Sequence, residues 1–127
     1  MAEAPVRIQL RRVRGWRMPR NTLKVDRTTP WGNPFDVREY GPDLALHLFS
    51  YTARGCWSPA NVMELDEPTA SMLHDAHCRW LRRIGGDPVA RARSELRGRN
   101  LACWCRLPEH AAADDCHAAI LLELANG

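Results

Sequence analysis

The stretch LACWCRLPEHAAADDCHAAILLELA, residues 101–125, holds three of the chain's five cysteines, a tryptophan and two histidines. Three chemistries fit it. Cys103, Cys105, Cys116 and His117 make a Cys₃His set of a kind that tetrahedral zinc accepts. Their spacing argues against it, because one pair is separated by a single residue and the other pair is adjacent, where zinc knuckles leave two to four. Alternatively, a helix beginning at Cys116 would place that thiol among free backbone N–H groups, lowering its pKa, with His117 as proton partner. The same helix start could receive a phosphate. The plain alternative is that Cys103 and Cys105 are small buried hydrophobes, the usual fate of a free cysteine. That reading is favoured for each of those two taken singly, but not for Cys116 and His117 together.

WGNPF, residues 31–35, is the second unusual element. Gly32 permits a close backbone approach, Asn33 is held extended by Pro34, and Trp31 and Phe35 offer flat faces. Such a loop suits a platform on which a base stacks while Asn33 reads its edge and Arg27 meets a phosphate. A structural turn whose two aromatics plug the core carries equal weight. His74, His77 and Cys78 lie in a helical pattern in which only the two histidines share a face, which reads as surface or boundary. Trp57 and Cys56 read as core, and Glu64, Asp66 and Glu67 as a solvated acidic loop.

These residues need elements to hold them. VRIQLRRV, residues 6–13, alternates Val6, Ile8 and Leu10 with polar residues, which predicts a strand with one buried face. Thr22–Val25 is a second short strand, and DRTTPWGNPFD between its prolines and glycine is a loop. GPDLALHLFSYTARG predicts a helix over residues 41–55. TASMLHDAHCRWLRRIGG predicts another over 69–86, with Met72, Leu73, Ala76, Trp80, Leu81 and Ile84 on its apolar side. DPVARARSELRG predicts a third, capped by Asp87. NLACWC is a strand in which Leu101, Cys103 and Cys105 share a face. CHAAILLELA is a closing helix with Asp114 or Asp115 as N-cap. Strands at both ends with helices between predict a single small α/β domain over residues 1–127, a short central sheet with packed helices in a Rossmann-like sandwich. In such sheets ligands bind beyond the strands' carboxyl ends, where Cys103 and His117 would meet.

At 127 residues and 45% hydrophobic content the chain can build one core. Its net charge of +3 is mild. The first 27 residues, however, carry Arg7, Arg11, Arg12, Arg14, Arg17, Arg20, Lys24 and Arg27 against Glu3 and Asp26, a patch that would attract an anion or the backbone of a nucleic acid. No apolar run is long enough for a membrane span, so a soluble cytoplasmic protein with unpaired thiols is expected. Oligomeric state is not readable.

Taken together, RGWRMP, VDRTTPWGNPF and LRGRNLACWCRLPEH…CHAAILLELAN resemble the domain-of-unknown-function family 4326, found in bacteria and phages, over about residues 6–126. The resemblance places Arg27, Trp31, Gly32, Asn33, Pro34, Phe35, Cys103, Trp104, Cys105, Cys116 and His117 at the family's motif positions. It implies a fold and a site but no reaction. The loop between CWC and CH is longer here than the family pattern and adds Glu109 and His110. The expected function is a pocket for a nucleotide or another nucleobase-bearing small molecule. Hydrolysis or transfer would occur there at a glycosidic or phosphate-linked centre. Cys116, His117 and Asn33 are the candidate catalytic residues, and Arg27, Trp31, Gly32, Asn33, Phe35, Cys103 and Cys105 the candidate ligand-binding ones, without a cofactor. The alternative is a zinc-stabilised nucleic-acid-binding module using Cys103, Cys105, Cys116 and His117.

Overall fold

A computed structural model describes residues 4–57, 67–108, 114 and 116–127. Three short strands, β1 (Arg7–Gln9), β2 (Thr22–Lys24) and β3 (Asn100–Cys103), form a wholly parallel sheet in the order β1-β3-β2. Arg7 stands opposite Leu101 and Gln9 opposite Cys103, while Thr22 pairs with Asn100 and Lys24 with Ala102. The bonds Leu10 N–H to Cys103 O and Val25 N–H to Ala102 O, both 2.8 Å, carry the pairing one residue past β1 and β2. β3 has a partner on each side, and Leu101, Ala102 and Cys103 are all buried. Covered parallel strands lose the in-out alternation of a half-exposed one.

Five helices complete the α/β fold: α1 (Val37–Tyr40), α2 (Pro42–Ala53), α3 (Glu67–Ile84), α4 (Pro88–Glu95) and α5 (His117–Asn126). Local chemistry sets several of their ends. Asp36 caps α1 by accepting from Arg38 N–H. Gly41, at φ 83°, separates α1 from α2, a backbone state that side chains rarely adopt, and Pro42 opens α2. Asp87 caps α4 as its sequence predicts. Along α3 the buried stripe is Leu73, His77, Trp80 and Ile84, spaced at one and two turns. His77 thus occupies a place that hydrophobicity gave to neighbours, and Met72 is exposed. One core joins Val25, Phe35 and Phe49 with Leu73, Trp80, Leu101 and Leu121.

Several local expectations are corrected. The first strand is shorter than residues 6–13 because β1 is an edge strand, and Arg11 to Gly15 are exposed. Within β1 the buried residue is Arg7, whereas Val6 is 52% exposed. β3 ends at Cys103, so Trp104 and Cys105 lie on the bend beyond it. Cys116, not Asp114, is the N-cap of α5, its sulfur accepting from Ala118 N–H. Asp115 lies outside the described residues, as do the acidic positions Glu64 and Asp66 and the loop residues Glu109 and His110. No helix among the described residues is long and apolar enough to cross a membrane.

Candidate functional site

The carboxyl end of the central strand and the start of α5 bring three sulfurs together. Cys103 closes β3, Cys105 follows two residues later, and Cys116 caps α5. Their sulfurs all lie within 4.8 Å of one another, and those of Cys103 and Cys116 are 3.0 Å apart. All three are free thiols, with Cys103 and Cys116 buried and Cys105 exposed. Main-chain N–H groups point at two of them: Cys105 N donates to Cys103 Sγ at 3.2 Å and Ala118 N to Cys116 Sγ at 3.5 Å. His117, the first residue of α5, places Nε2 2.6 Å from Val25 O. A carbonyl only accepts, so Nε2 carries the hydrogen and Nδ1 keeps its lone pair. Nδ1 is 3.7 Å from Cys116 Sγ, and the ring stands edge-on to Phe49.

Arg7 is tucked beneath this cluster. Its guanidinium pairs with Asp114, donates to Cys105 O at 2.8 Å and Arg106 O at 2.6 Å, and reaches within 3.8 Å of Cys103 Sγ. Placing it in the anion-attracting N-terminal patch is corrected, because its side chain is 3% exposed. One buried cation thereby fastens the Cys-Trp-Cys bend and sets positive charge beside the thiols.

Contact among the three sulfurs separates their acidities. Hydrogen bonds from Cys103 and then Cys116 hold the Cys105 thiol well below its ordinary pKa, aided by Arg7. The same interaction with Cys105 pushes Cys103 up to about 11. Cys116 is raised further, by its bonds to Cys103 and Cys105 and by burial. That direction runs against a helix-activated Cys116 thiolate. Burial pushes the His117 pKa down, which keeps the ring neutral.

The cluster forms one wall of a cavity of about 400 Å³ lined by Asp26, Arg27, Thr28, Asn33, Val37, Pro42, Leu46, Cys103, Trp104, Cys105, Cys116 and His117. That size is within the usual range for small-molecule sites. Trp104, 43% exposed, is held by its own polar edge, Nε1–H donating to Asp26 Oδ2 at 3.0 Å. The Arg12 guanidinium lies 4.8 Å from its ring centre.

Of the candidates from the sequence, the cavity brings together Arg27, Asn33, Cys103, Cys105, Cys116 and His117. Trp31 and Phe35 are elsewhere, which corrects the aromatic platform. Trp31 is 6% exposed, edge-on to Trp80, and donates Nε1–H to Glu95 at 3.3 Å. Phe35 is fully buried and stacks on Trp57. Gly32 is also outside the cavity lining. A Cβ there would lie 2.6 Å from both Arg27 Cα and Asp26 O, so glycine is demanded by packing against the chain that follows β2. Asn33 spends part of its amide on the loop, accepting from Phe35 N–H at 2.9 Å and donating to Ala45 O at 3.2 Å. Arg27 is exposed at the rim and pairs with Asp36 at 3.3 Å.

Sequence reasoning missed Arg7, Asp26, Thr28 and the flat wall Trp104, along with the apolar lining of Val37, Pro42 and Leu46. The signals for Trp104 were its place among the family's motif positions and between two cysteines, on the opposite face of an extended run. Of the His74, His77 and Cys78 group, read as surface or boundary, His74 is exposed and Cys78 half-buried, and His77 departs from that reading. His77 is buried, bonded through Nδ1 to Thr52, and stacked on the half-buried Trp57, while Cys78 Sγ reaches His74 Nε2 at 3.5 Å. Cys56 is exposed.

A family model described as Domain of unknown function (DUF4326) matches residues 8–127. No curated protein and no solved structure matches the chain.

Proposed function

The chain belongs to the DUF4326 family, whose description assigns no chemistry, and from the site we propose that it binds a nucleobase-bearing small molecule, such as a nucleotide, in the cavity beside the thiol cluster. The observation that carries this reading is Trp104. Its indole is anchored at Asp26 and lines a cavity to which Val37, Pro42 and Leu46 add apolar walls. A flat, oriented ring in an apolar cleft suits a base, since every base has a π-face to stack. Thr28 and the unspent capacity of the Asn33 amide meet the base edge, and Arg27 at the rim meets a phosphate. The thiol wall with His117 beside it then faces the glycosidic or phosphate-linked centre, where hydrolysis or transfer takes place.

Calorimetric titration with nucleosides and their mono- and diphosphates tests the proposal. Trp104→Ala should weaken binding about ten- to hundredfold, the usual worth of one stacked base, with a fall of several degrees in melting temperature from the donor that Asp26 Oδ2 loses. Binding by no nucleobase compound, or equal binding by Trp104→Ala, refutes it.

A further inference from the structure

We infer that Cys103, Cys105 and Cys116 bind zinc through three thiolates, with the fourth coordination position open to the cavity. The inference does not depend on the nucleotide reading, because a metal assay needs no organic ligand.

Three sulfurs, from the end of β3, the bend after it and the start of α5, converge within 4.8 Å although no disulfide joins them. A tetrahedral zinc with Zn–S bonds of ~2.3 Å sets its sulfurs about 3.8 Å apart, so the cluster already has the right span. The 3.0 Å pair, Cys103 and Cys116, must part by about 0.8 Å, and the other two separations, each within 4.8 Å, need a shift of about 1 Å at most. Thiolate is a soft donor, which selects zinc over magnesium or calcium. The N–H···S bonds from Cys105 and Ala118 are outer contacts of the type that orient metal ligands, and Arg7 sets a positive charge 3.8 Å from Cys103.

Closed structural sites use four protein ligands, whereas sites that do chemistry keep one position for water or substrate. His117 is the nearest candidate for a fourth ligand among the described residues. Its Nδ1 approaches Cys116 but lies outside the set whose atoms are all mutually within 4.8 Å. The Val25 bond and Phe49 hold the ring in that place. All three cysteines line the cavity, so the position that the described residues leave open faces it. As each sulfur bonds the metal, any S–H proton still present leaves to solvent.

The test uses the whole chain, purified without a metal-binding tag and kept reduced. Mass spectrometry should find about one zinc per chain, and cobalt in its place should give the absorption of a thiolate-ligated tetrahedral site. Cys105→Ser, at an exposed position, should lower zinc affinity by roughly a hundredfold or more, beyond the effect of losing an outer contact. His117→Asn keeps a donor for Val25 O and should hold zinc within about tenfold of wild type. A chain that melts cooperatively yet takes up neither metal overturns the inference, as does Cys105→Ser with wild-type affinity. Equal loss of metal in His117→Asn overturns the open position in favour of a closed Cys₃His site. Should Cys105→Ser fail to fold, Cys105→Ala and the wild-type cobalt spectrum decide.

Discussion

Replacing Arg7 tests the site's internal architecture, because the sequence pattern and the structure predict opposite results. The pattern puts Arg7 on the solvent side of an edge strand, where substitution changes stability by about 0.5 kcal/mol or less. In the structure the guanidinium is 3% exposed and its fork spans three groups: Asp114, Cys105 O and Arg106 O. Arg7→Met fills a similar volume but leaves the carboxylate without its partner and both carbonyls without a donor. Breaking a buried pair this way costs about 3–5 kcal/mol. Asp114 is 20% exposed and can regain water, which favours the lower half of that range. With a urea m-value of roughly 2 kcal/mol/M, the unfolding midpoint should fall by about 1.5–2 M. Arg7→Lys should recover less than half, because one ammonium cannot meet three acceptors arranged for a planar fork. Urea unfolding followed by tryptophan fluorescence reads the shift. A midpoint within about 0.3 M of wild type for Arg7→Met would refute the reasoning, since a change that small marks a surface residue.

Two further outcomes follow from packing and burial. Gly32→Ala drives a Cβ to 2.6 Å from main-chain atoms of Asp26 and Arg27. Backbone yields poorly, so the cost is about 1–3 kcal/mol, read as a fall of about 4–12 °C in melting temperature. His77 and His117 both have folded pKa values held below 6.5, in each case first by burial. The unfolded chain therefore binds protons that the folded one refuses. Their contribution is complete above pH 6.5 and is lost as pH falls toward the folded values, at up to about 1.4 kcal/mol per pH unit per histidine. Urea midpoints from pH 8 to 5 should show this decline, and His77→Gln should flatten it. A profile flat across that range in the wild-type chain contradicts the buried neutral rings.

Elements whose local chemistry and tertiary role agree were legible in the sequence. Asp87 and Pro88 announce α4, and the turn spacing of Leu73, Trp80 and Ile84 announces α3, because caps and periodicity are properties of neighbouring residues. The meeting of Cys103, Cys105, Cys116 and His117 was half legible. A strand ending in cysteines and a helix opening on Cys-His must approach if the two elements pack as an α/β unit. Arg7 was not legible, because an arginine at an alternating position looks like solvent exposure and only Asp114, more than a hundred residues away, gives it a reason to turn inward. Nor could Trp31 and Phe35 be told from Trp104. Local sequence shows that a ring is present, and only the packing of α2, α3 and α4 decides which rings the core claims.

WGNPF reaches the cavity through Asn33, and the rest of the motif is tied to it through Asp26. This carboxylate is 6% exposed and fully engaged. Oδ1 accepts from Thr28 N–H at 3.1 Å and from its hydroxyl at 2.5 Å, and Oδ2 accepts from Trp104 Nε1–H. The Asp26 main-chain oxygen accepts from Thr29 N–H at 3.1 Å, and Gly32 packs against that same oxygen. A buried carboxylate stays where its donors hold it. Asp26 therefore transmits the position of the loop, set by Gly32 and by Trp31 and Phe35 in the core, to the indole that walls the cavity. The motif's aromatic residues are then anchors rather than contacts. Apart from Asn33, its effect on a ligand passes through the backbone of residues 26–29 and emerges at Thr28 and Trp104, two residues the motif does not contain.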